Sequence, residues 1–399
     1  MSDKKLKIAH IAPFYYPVIG GMEELVQNIA ELLSDRGHKV DILTAYIGHD
    51  GKRINRPAKE AINGVNVYRF RPILKCGFIT FFPGIIPKLI QTRYDVIHLH
   101  SFRHPHTDIG SIMGRIKSVP TVLHGHSPFY PAISGRSKFF FYSIYDFLAK
   151  YLIFKTVTRI IAFTKLEKNE YIKRGANPDK ITVIPNAIPS EYFKKGTVDV
   201  FIDKYNLRGK KIVLFVGRLH SNKRIDILVE SFAMVVKQQP RAFLLLVGPD
   251  RGEYFRIKKM IIDLRLENHF KWLGSIIDKN EKINAYFSAS CFVLPSDYEP
   301  FGLVVLEAMA AGKPVIAANA GGPSEIIDDE KTGFLFKQGD VNDLKEKILK
   351  VLGDDAMAKE IGGRAFVKAK DFMLPKMVDA IENLYYSLCL KANADDIIQ

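Results

Sequence analysis

Short apolar runs alternate with helix-spaced runs along this chain, and the alternation starts afresh near residue 211. Residues 7–13, 39–44, 65–70, 96–100, 121–124, 159–163 and 181–184 read as buried strands in the first stretch. Residues 211–217, 242–248, 270–274, 291–294 and 314–317 read as a second set. Helical runs fall between them, as where Met22, Leu25, Val26, Ile29, Leu32 and Leu33 recur at helical spacing. Near-continuous apolar strands joined by helical crossovers form parallel sheets with both faces covered. The chain is therefore α/β, built from two doubly wound parallel sheets. Its 399 residues suit two domains. Residues 1–195 form the first and 196–373 the second, with 203–211 as a polar linker. The last helical stretch, 374–399, crosses back onto the first domain.

Composition narrows the class. Hydrophobic content of 47% and charged content of 25% are those of a soluble globular protein. Cys76, Cys291 and Cys389 stand far apart, with no metal-ligand spacing and no disulfide framework. The N-terminus runs into a strand with no signal-peptide core, so a cytoplasmic protein is expected. No apolar stretch reaches the roughly 18 residues that span a bilayer. The net charge of +15 implies an anionic partner or serves solubility alone. Two segments mix aromatic and basic residues: 71–93, with Phe78, Phe81, Phe82, Lys88 and Arg93, and 133–155, with Arg136, Lys138, Phe139, Phe140, Phe141, Tyr142, Phe147, Lys150 and Lys155. Such segments either lie in an anionic membrane interface on the inner face or pack as core helices with exposed lysines. Nucleic acid is not expected as a partner.

The chemistry concentrates at one corner. The run 295–304 joins a strand to the helical run 304–311, and it carries Glu299 with Glu307 eight positions on. Ligands of parallel α/β sheets bind at the carboxyl ends of strands. A helix start there offers N–H groups to an anion, and two carboxylates accept from hydroxyls. Arg218 and Lys223 follow another strand; a planar fork and a point charge suit a diphosphate. With those two cations a metal is not required, although Asp297 and Glu299 invite one.

His124 ends a strand and can bond a sugar hydroxyl or take a proton. His98, His100, His104 and His106 lie nearby in sequence; they read as residues of a polar crevice, not as a metal cluster. Gly20 and Gly21 precede a helix and permit close approach of a ligand, but no dinucleotide fingerprint follows a strand. Gly321-Gly322-Pro323 forms a loop at the same sheet edge as Glu299, and Asn186 follows the last strand of the first domain.

Taken together, Gly20-Gly21, His124, Pro185-Asn186, Gly217-Arg218-Leu219 with Lys223, the segment Glu299 to Glu307, and Gly321-Gly322-Pro323 resemble the retaining GT-B glycosyltransferases of family 4. The resemblance covers nearly the whole chain. It implies two Rossmann-like domains facing each other across a cleft, an acceptor-binding first domain and a donor-binding second. It also implies a nucleotide-sugar donor, UDP or GDP, and a glycan or lipid-linked acceptor. By that likeness Arg218 and Lys223 hold the diphosphate, Glu307 the ribose hydroxyls and Glu299 the donor sugar. Phe301, Gly302 and Leu303 offer backbone N–H groups, Ser275 and Ile276 border the base, and Gly20, Gly21 and His124 complete the site. No cofactor or metal is implied. Ala187 stands where the family commonly has glycine. The alternatives are another nucleotide-sugar enzyme on this fold, such as an epimerase, and a non-catalytic basic protein that binds lipid or nucleic acid.

Overall fold

The computed structural model describes residues 4–18, 20–76, 79–129, 136–276 and 278–398. The chain divides into two units. One comprises residues 1–185 and 374–399, the other residues 186–373.

In the first unit the strands are β1 (Lys7–Ala12), β2 (Lys39–Ala45), β3 (Lys59–Ile62), β4 (Val65–Phe70), β5 (Leu74–Cys76), β6 (Ile79–Phe81), β7 (Val96–His100), β8 (Thr121–His124), β9 (Arg159–Ala162) and β10 (Ile181–Val183). The main sheet runs in the order β10-β9-β8-β7-β1-β2-β4-β3, and β5 and β6 pair apart from it. Every pairing in that sheet is parallel except β3 with β4. Its central strands are buried on both faces, which is why they read as unbroken apolar runs.

In the second unit the strands are β11 (Lys211–Val216), β12 (Ala242–Val247), β13 (Phe270–Trp272), β14 (Cys291–Leu294), β15 (Val315–Ala318) and β16 (Phe334–Phe336). Their order is β13-β12-β11-β14-β15-β16, all parallel. In each sheet the chain first builds outward on one side, then returns to the other side of its first strand. The order therefore reverses between β1 and β7 and between β11 and β14. The crevice outside the carboxyl ends of the strands at such a reversal is the natural ligand position of a doubly wound sheet.

Three features differ from the sequence reading. Residues 203–211 are no linker. Residues 203–205 complete the helix Val198–Tyr205, whose Val198 and Phe201 are buried one turn apart, and the second unit starts at Asn186. Residues 71–93 hold the β5–β6 pair and the short helix Ile85–Gln91. Within them Phe82, Ile85 and Leu89 join the core, while Ile73, Leu74 and Ile90 are exposed. The short strands β3, β5, β6 and β16 carry too few residues to announce themselves by periodicity. Phe78 and the side chains of Arg136, Lys138, Phe139, Phe140, Phe141 and Tyr142 lie outside the described residues.

The helix Leu374–Ile398 packs on the first unit. Met377, Val378, Ile381, Tyr385 and Leu388 make its buried stripe. Arg36 Nη1 donates to Glu382 at 2.6 Å, and His38 Nε2 lies 2.7 Å from the same carboxylate. Among the described residues no helix is long and apolar enough to cross a membrane.

Candidate functional site

The corner beyond β14 is built on glycine backbone. Gly302 takes φ +98 as it opens the helix Leu303–Ala310, a left-handed conformation that side chains resist. The loop at Gly321-Gly322 folds directly onto it: Gly322 N donates to Glu299 O at 2.8 Å. A Cβ at Gly322 would lie 2.4 Å from Phe301 Cα, so no side chain fits there. Backbone thus packs on backbone around Glu299, Phe301 and Gly302. The first N–H groups of the helix have no partner within it, as at every helix start, and its dipole favours an anion.

That helix is apolar all round except for Glu307, and it is buried from Val305 to Ala310. A lone carboxylate in such a helix must be paired. Lys282 Nζ donates to Glu307 Oε1 at 2.9 Å and lies 2.8 Å from Oε2, and the Tyr286 hydroxyl also donates to Oε2. Both partners stand one turn apart on the helix Lys279–Ser288. Glu307 thereby remains an oriented acceptor at 7% exposure.

Glu299 is ion-paired with Lys223, which closes a short helical turn after β11. The next residue, Arg224, donates to Asp297 at 2.9 Å and to Asp226 at 3.2 Å. Asp297 N donates to Asn222 O at 3.0 Å, so the two loops are stitched together. Arg218 lies on the loop beyond β11, exposed, with no side-chain hydrogen bond or ion pair among the described residues. Ser275 is exposed and Ile276 half-buried on the loop after β13. Asn186 opens the second unit, and its Oδ1 accepts from Ala187 N at 2.8 Å.

The first unit places Gly20 at the start of the helix Gly21–Asp35. The space over Gly20 is taken by the Glu23 carboxylate, 2.2 Å from where a Cβ would stand. Glu23 Oε1 lies 2.9 Å from His49 Nε2. A Cβ on Gly21 would meet nothing within 4 Å. His124 ends β8 with no exposed surface, and neither ring nitrogen has a partner among the described residues. Burial, with smaller contributions from His126 and His10, pushes its pKa well below the ordinary histidine range, so the ring is neutral.

The comparisons with known proteins agree with this architecture. Residues 199–367 match the family described as Glycosyl transferases group 1, and residues 19–192 match Glycosyltransferase Family 4. An uncharacterized glycosyltransferase of Methanocaldococcus jannaschii is 30% identical over 369 residues, spanning 88% of this chain and 90% of its own length. The chain belongs to the group 1, family 4 glycosyltransferases. N-acetyl-alpha-D-glucosaminyl L-malate synthase of Bacillus anthracis is 25% identical over 390 residues, 94% of this chain and 95% of its own. The fold matches that of the Anabaena protein HepE in complex with UDP, with a TM-score of 0.77 at 23% identity, covering 96% of this chain and 100% of that one.

In this glycosyltransferase the structure brings some of the candidate residues together and turns others toward partners of their own. Lys223 and Glu299 meet, and Phe301, Gly302 and Leu303 form one corner with them. Glu307 turns instead toward Lys282 and Tyr286. Those two residues escaped the sequence reading, although their i, i+4 spacing marks a common helix face. Arg224 and Asp297, which join the loops, also escaped it as a pair. The histidines His98, His100 and His106 do not line a crevice: all three are wholly buried.

Proposed function

We propose that the enzyme transfers a hexosyl group from a UDP- or GDP-sugar to a glycan or lipid-linked acceptor, with retention of anomeric configuration and without a metal on the diphosphate. The observation that carries this reading is the Lys223–Glu299 pair beside the start of the helix Leu303–Ala310. A cation for phosphate and an acceptor for a sugar hydroxyl are held at one place, next to the first backbone N–H groups of a helix, which have no partner within that helix. Arg218 joins Lys223 on the diphosphate, and its lack of a side-chain partner among the described residues leaves its fork available. Glu307, oriented by Tyr286 and Lys282, accepts from the ribose hydroxyls. Glu299 contacts the sugar, while Phe301, Gly302 and Leu303 supply N–H groups. Ser275 and Ile276 border the base, and Asn186 belongs to the same donor site. Gly20, Gly21 and His124 of the first unit are assigned to the donor as well, with His124 orienting the sugar.

In the transfer the bond from the anomeric carbon to the diphosphate oxygen breaks. The acceptor hydroxyl forms the new bond on the same face, and its proton passes to the departing phosphate oxygen. The products are a glycoside and the nucleoside diphosphate. The cations stabilise the charge that develops on the leaving group. A peripheral contact with anionic lipid is part of the proposal: Phe147, Leu148, Tyr151 and Leu152 are exposed in the first unit, with Lys150 and Lys155 beside Tyr151.

The test is a panel of UDP- and GDP-sugars read by thermal stabilisation, since a ligand of the folded state raises the melting point. One nucleotide-sugar is expected to stand out and to yield free nucleoside diphosphate with a new glycoside. Glu307→Ala is expected to abolish its binding by calorimetry; unchanged affinity would defeat the assignment. Appearance of an epimerised nucleotide-sugar with no glycoside would defeat the transferase reading.

A further inference from the structure

The first unit gathers an unusual set of rings. Of the eleven histidines, only His220 and His269 lie in the second unit. Parallel pairing of β7 with β8 sets His100 opposite His124. The chain then turns at His126 and Ser127, both left-handed at φ 57, and this turn brings the His126 ring back over His124 at a centroid separation of 4.3 Å. We infer that His100, His124 and His126 form a binding site for a zinc-class transition-metal cation.

Three observations carry this. First, one ring nitrogen from each of the three residues lies within 4.8 Å of the other two. His100 Nδ1 and His126 Nε2 are 2.9 Å apart. Tetrahedral ligation at about 2.0–2.1 Å per nitrogen sets ligand atoms roughly 3.3 Å apart; the His100–His126 pair is near that spacing, and His124, whose ring stacks on that of His126 at 14°, has to turn a lone pair toward them. Second, the outer contact that orients a metal-bound imidazole is already made: His100 Nε2 lies 2.8 Å from His10 Nδ1. With a cation on Nδ1, the His100 proton sits on Nε2 and donates to His10, and the His126 proton sits on Nδ1. Third, His124 is buried with neither nitrogen bonded among the described residues, so a ligand atom is free to be used.

Imidazoles without carboxylates favour zinc, copper or nickel over magnesium or calcium. The half-buried His126 leaves a position for water, as in three-histidine zinc sites. A second set, His10, His98 and His100, also converges, but it is wholly buried and His98 Nδ1 is engaged by the Tyr385 hydroxyl at 2.5 Å. A dication there would be stranded with no water to share its charge. The outer set is the site. On the reading of His124 as a sugar contact, the metal and the donor sugar compete for the same ring.

The experiment titrates tag-free, metal-free, full-length protein with cobalt(II), followed by zinc(II). One equivalent of cobalt is expected to give the ligand-field absorption of a tetrahedral site, and zinc is expected to displace it. His126→Gln removes a ligand and is expected to abolish the band. His10→Gln removes only the outer partner and is expected to weaken zinc binding about 10- to 100-fold. His269→Gln, in the other unit, is expected to change nothing. Circular dichroism shows whether each variant folds; if His126→Gln does not, His126→Asn takes its place, because His10 also belongs to the inner set and only a change at His126 separates the two. Absence of a cobalt band, or a band indifferent to both variants, would overturn the site. Zinc that binds without weakening nucleotide-sugar binding would leave the metal site standing and remove His124 from the donor. Metal-free protein that binds no nucleotide-sugar would strike the proposed function and not the metal site.

Discussion

The two units put their polar residues at the same place in the same architecture and fill it in opposite ways. At the reversal between β1 and β7, and on the adjoining β8, the first unit sets His10, His98, His100 and His124, all wholly buried. Burial pushes His10 down to about 3 and His124 well below its ordinary range, so these rings carry no charge at neutral pH. At the reversal between β11 and β14 the second unit sets paired ions: Lys223 with Glu299 and Arg224 with Asp297. These side chains keep partial access to water, from 12% for Lys223 to 41% for Asp297. A doubly wound sheet fixes where a ligand meets the chain, not how. Neutral rings suit uncharged hydroxyls or a metal, and paired ions beside a helix start suit a phosphate.

The sharpest way to break this comparison is through glycine. Gly322→Ala puts a Cβ 2.4 Å from Phe301 Cα and from Phe301 O, so the corner must move. A displacement of about 1 Å at a reacting site costs on the order of 100-fold, and we expect turnover to fall by that much, with a lower melting temperature. Gly21→Ala is the counterpart in the first unit, where a Cβ meets nothing within 4 Å. It is expected to leave the melting temperature unchanged or slightly raised, so any loss of turnover there reports on ligand approach alone. Equal destabilisation by the two substitutions would show that the glycine corner is not special to the second unit.

Acidity separates the units by a smaller amount. Glu167 lies under the first unit's site, accepting from Phe163 N at 2.9 Å and Ser127 N at 3.2 Å. Burial raises its pKa from 4.5 to about 7 against those two hydrogen bonds, and the Tyr171 hydroxyl is the neighbouring titratable group. The folded state thus holds a proton that the unfolded chain releases near 4.5. This contribution is fully present below pH 4.5 and is lost as pH rises through 7. The difference of about 2.5 pH units corresponds to on the order of 3 kcal/mol. Glu167→Gln removes the titration and keeps an acceptor. Urea unfolding at pH 4.5 and at pH 8 is expected to show the variant gaining on the wild type at the higher pH by up to that amount. A constant gap between the two proteins would refute the raised pKa.

How much of this could be read in the sequence follows from the same contrast. The second unit's candidate residues stand out in the sequence because they are contiguous: Arg218 to Arg224 on one loop and Glu299 to Leu303 on another, each after a buried strand. What was hidden there, Lys282 and Tyr286 on Glu307, comes from a different helix, and only tertiary packing joins them. The first unit's histidines stood in plain view as residues but not as a cluster. His10, His100 and His126 come from β1, β7 and the turn after β8, and their contact depends on strand order and register. The strands of both sheets were legible because burial on two faces makes them apolar throughout. A linker is expected at 203–211 because that run is polar and holds a glycine, whereas the buried Val198 and Phe201 that fix its helix lie ahead of it.

One substitution made in each unit measures the contrast at its finest. Tyr286 and Tyr385 are both wholly buried, and each brings its hydroxyl to the polar edge of its sheet, to Glu307 in one case and to His98 Nδ1 in the other. Replacing either with phenylalanine removes one oxygen and no carbon, so the packing is retained. A hydrogen bond to a charged group contributes about 1.5–3 kcal/mol and one between neutral groups about 0.5–1.5 kcal/mol. Tyr286→Phe is therefore expected to destabilise its unit by about 2 kcal/mol and Tyr385→Phe by about 1 kcal/mol. Amide hydrogen exchange resolves the two units within one protein, with probes in β14 for the first variant and in β7 for the second. If Tyr385→Phe costs as much as Tyr286→Phe, His98 carries more charge than its burial allows, and the neutral-edge description of the first unit fails.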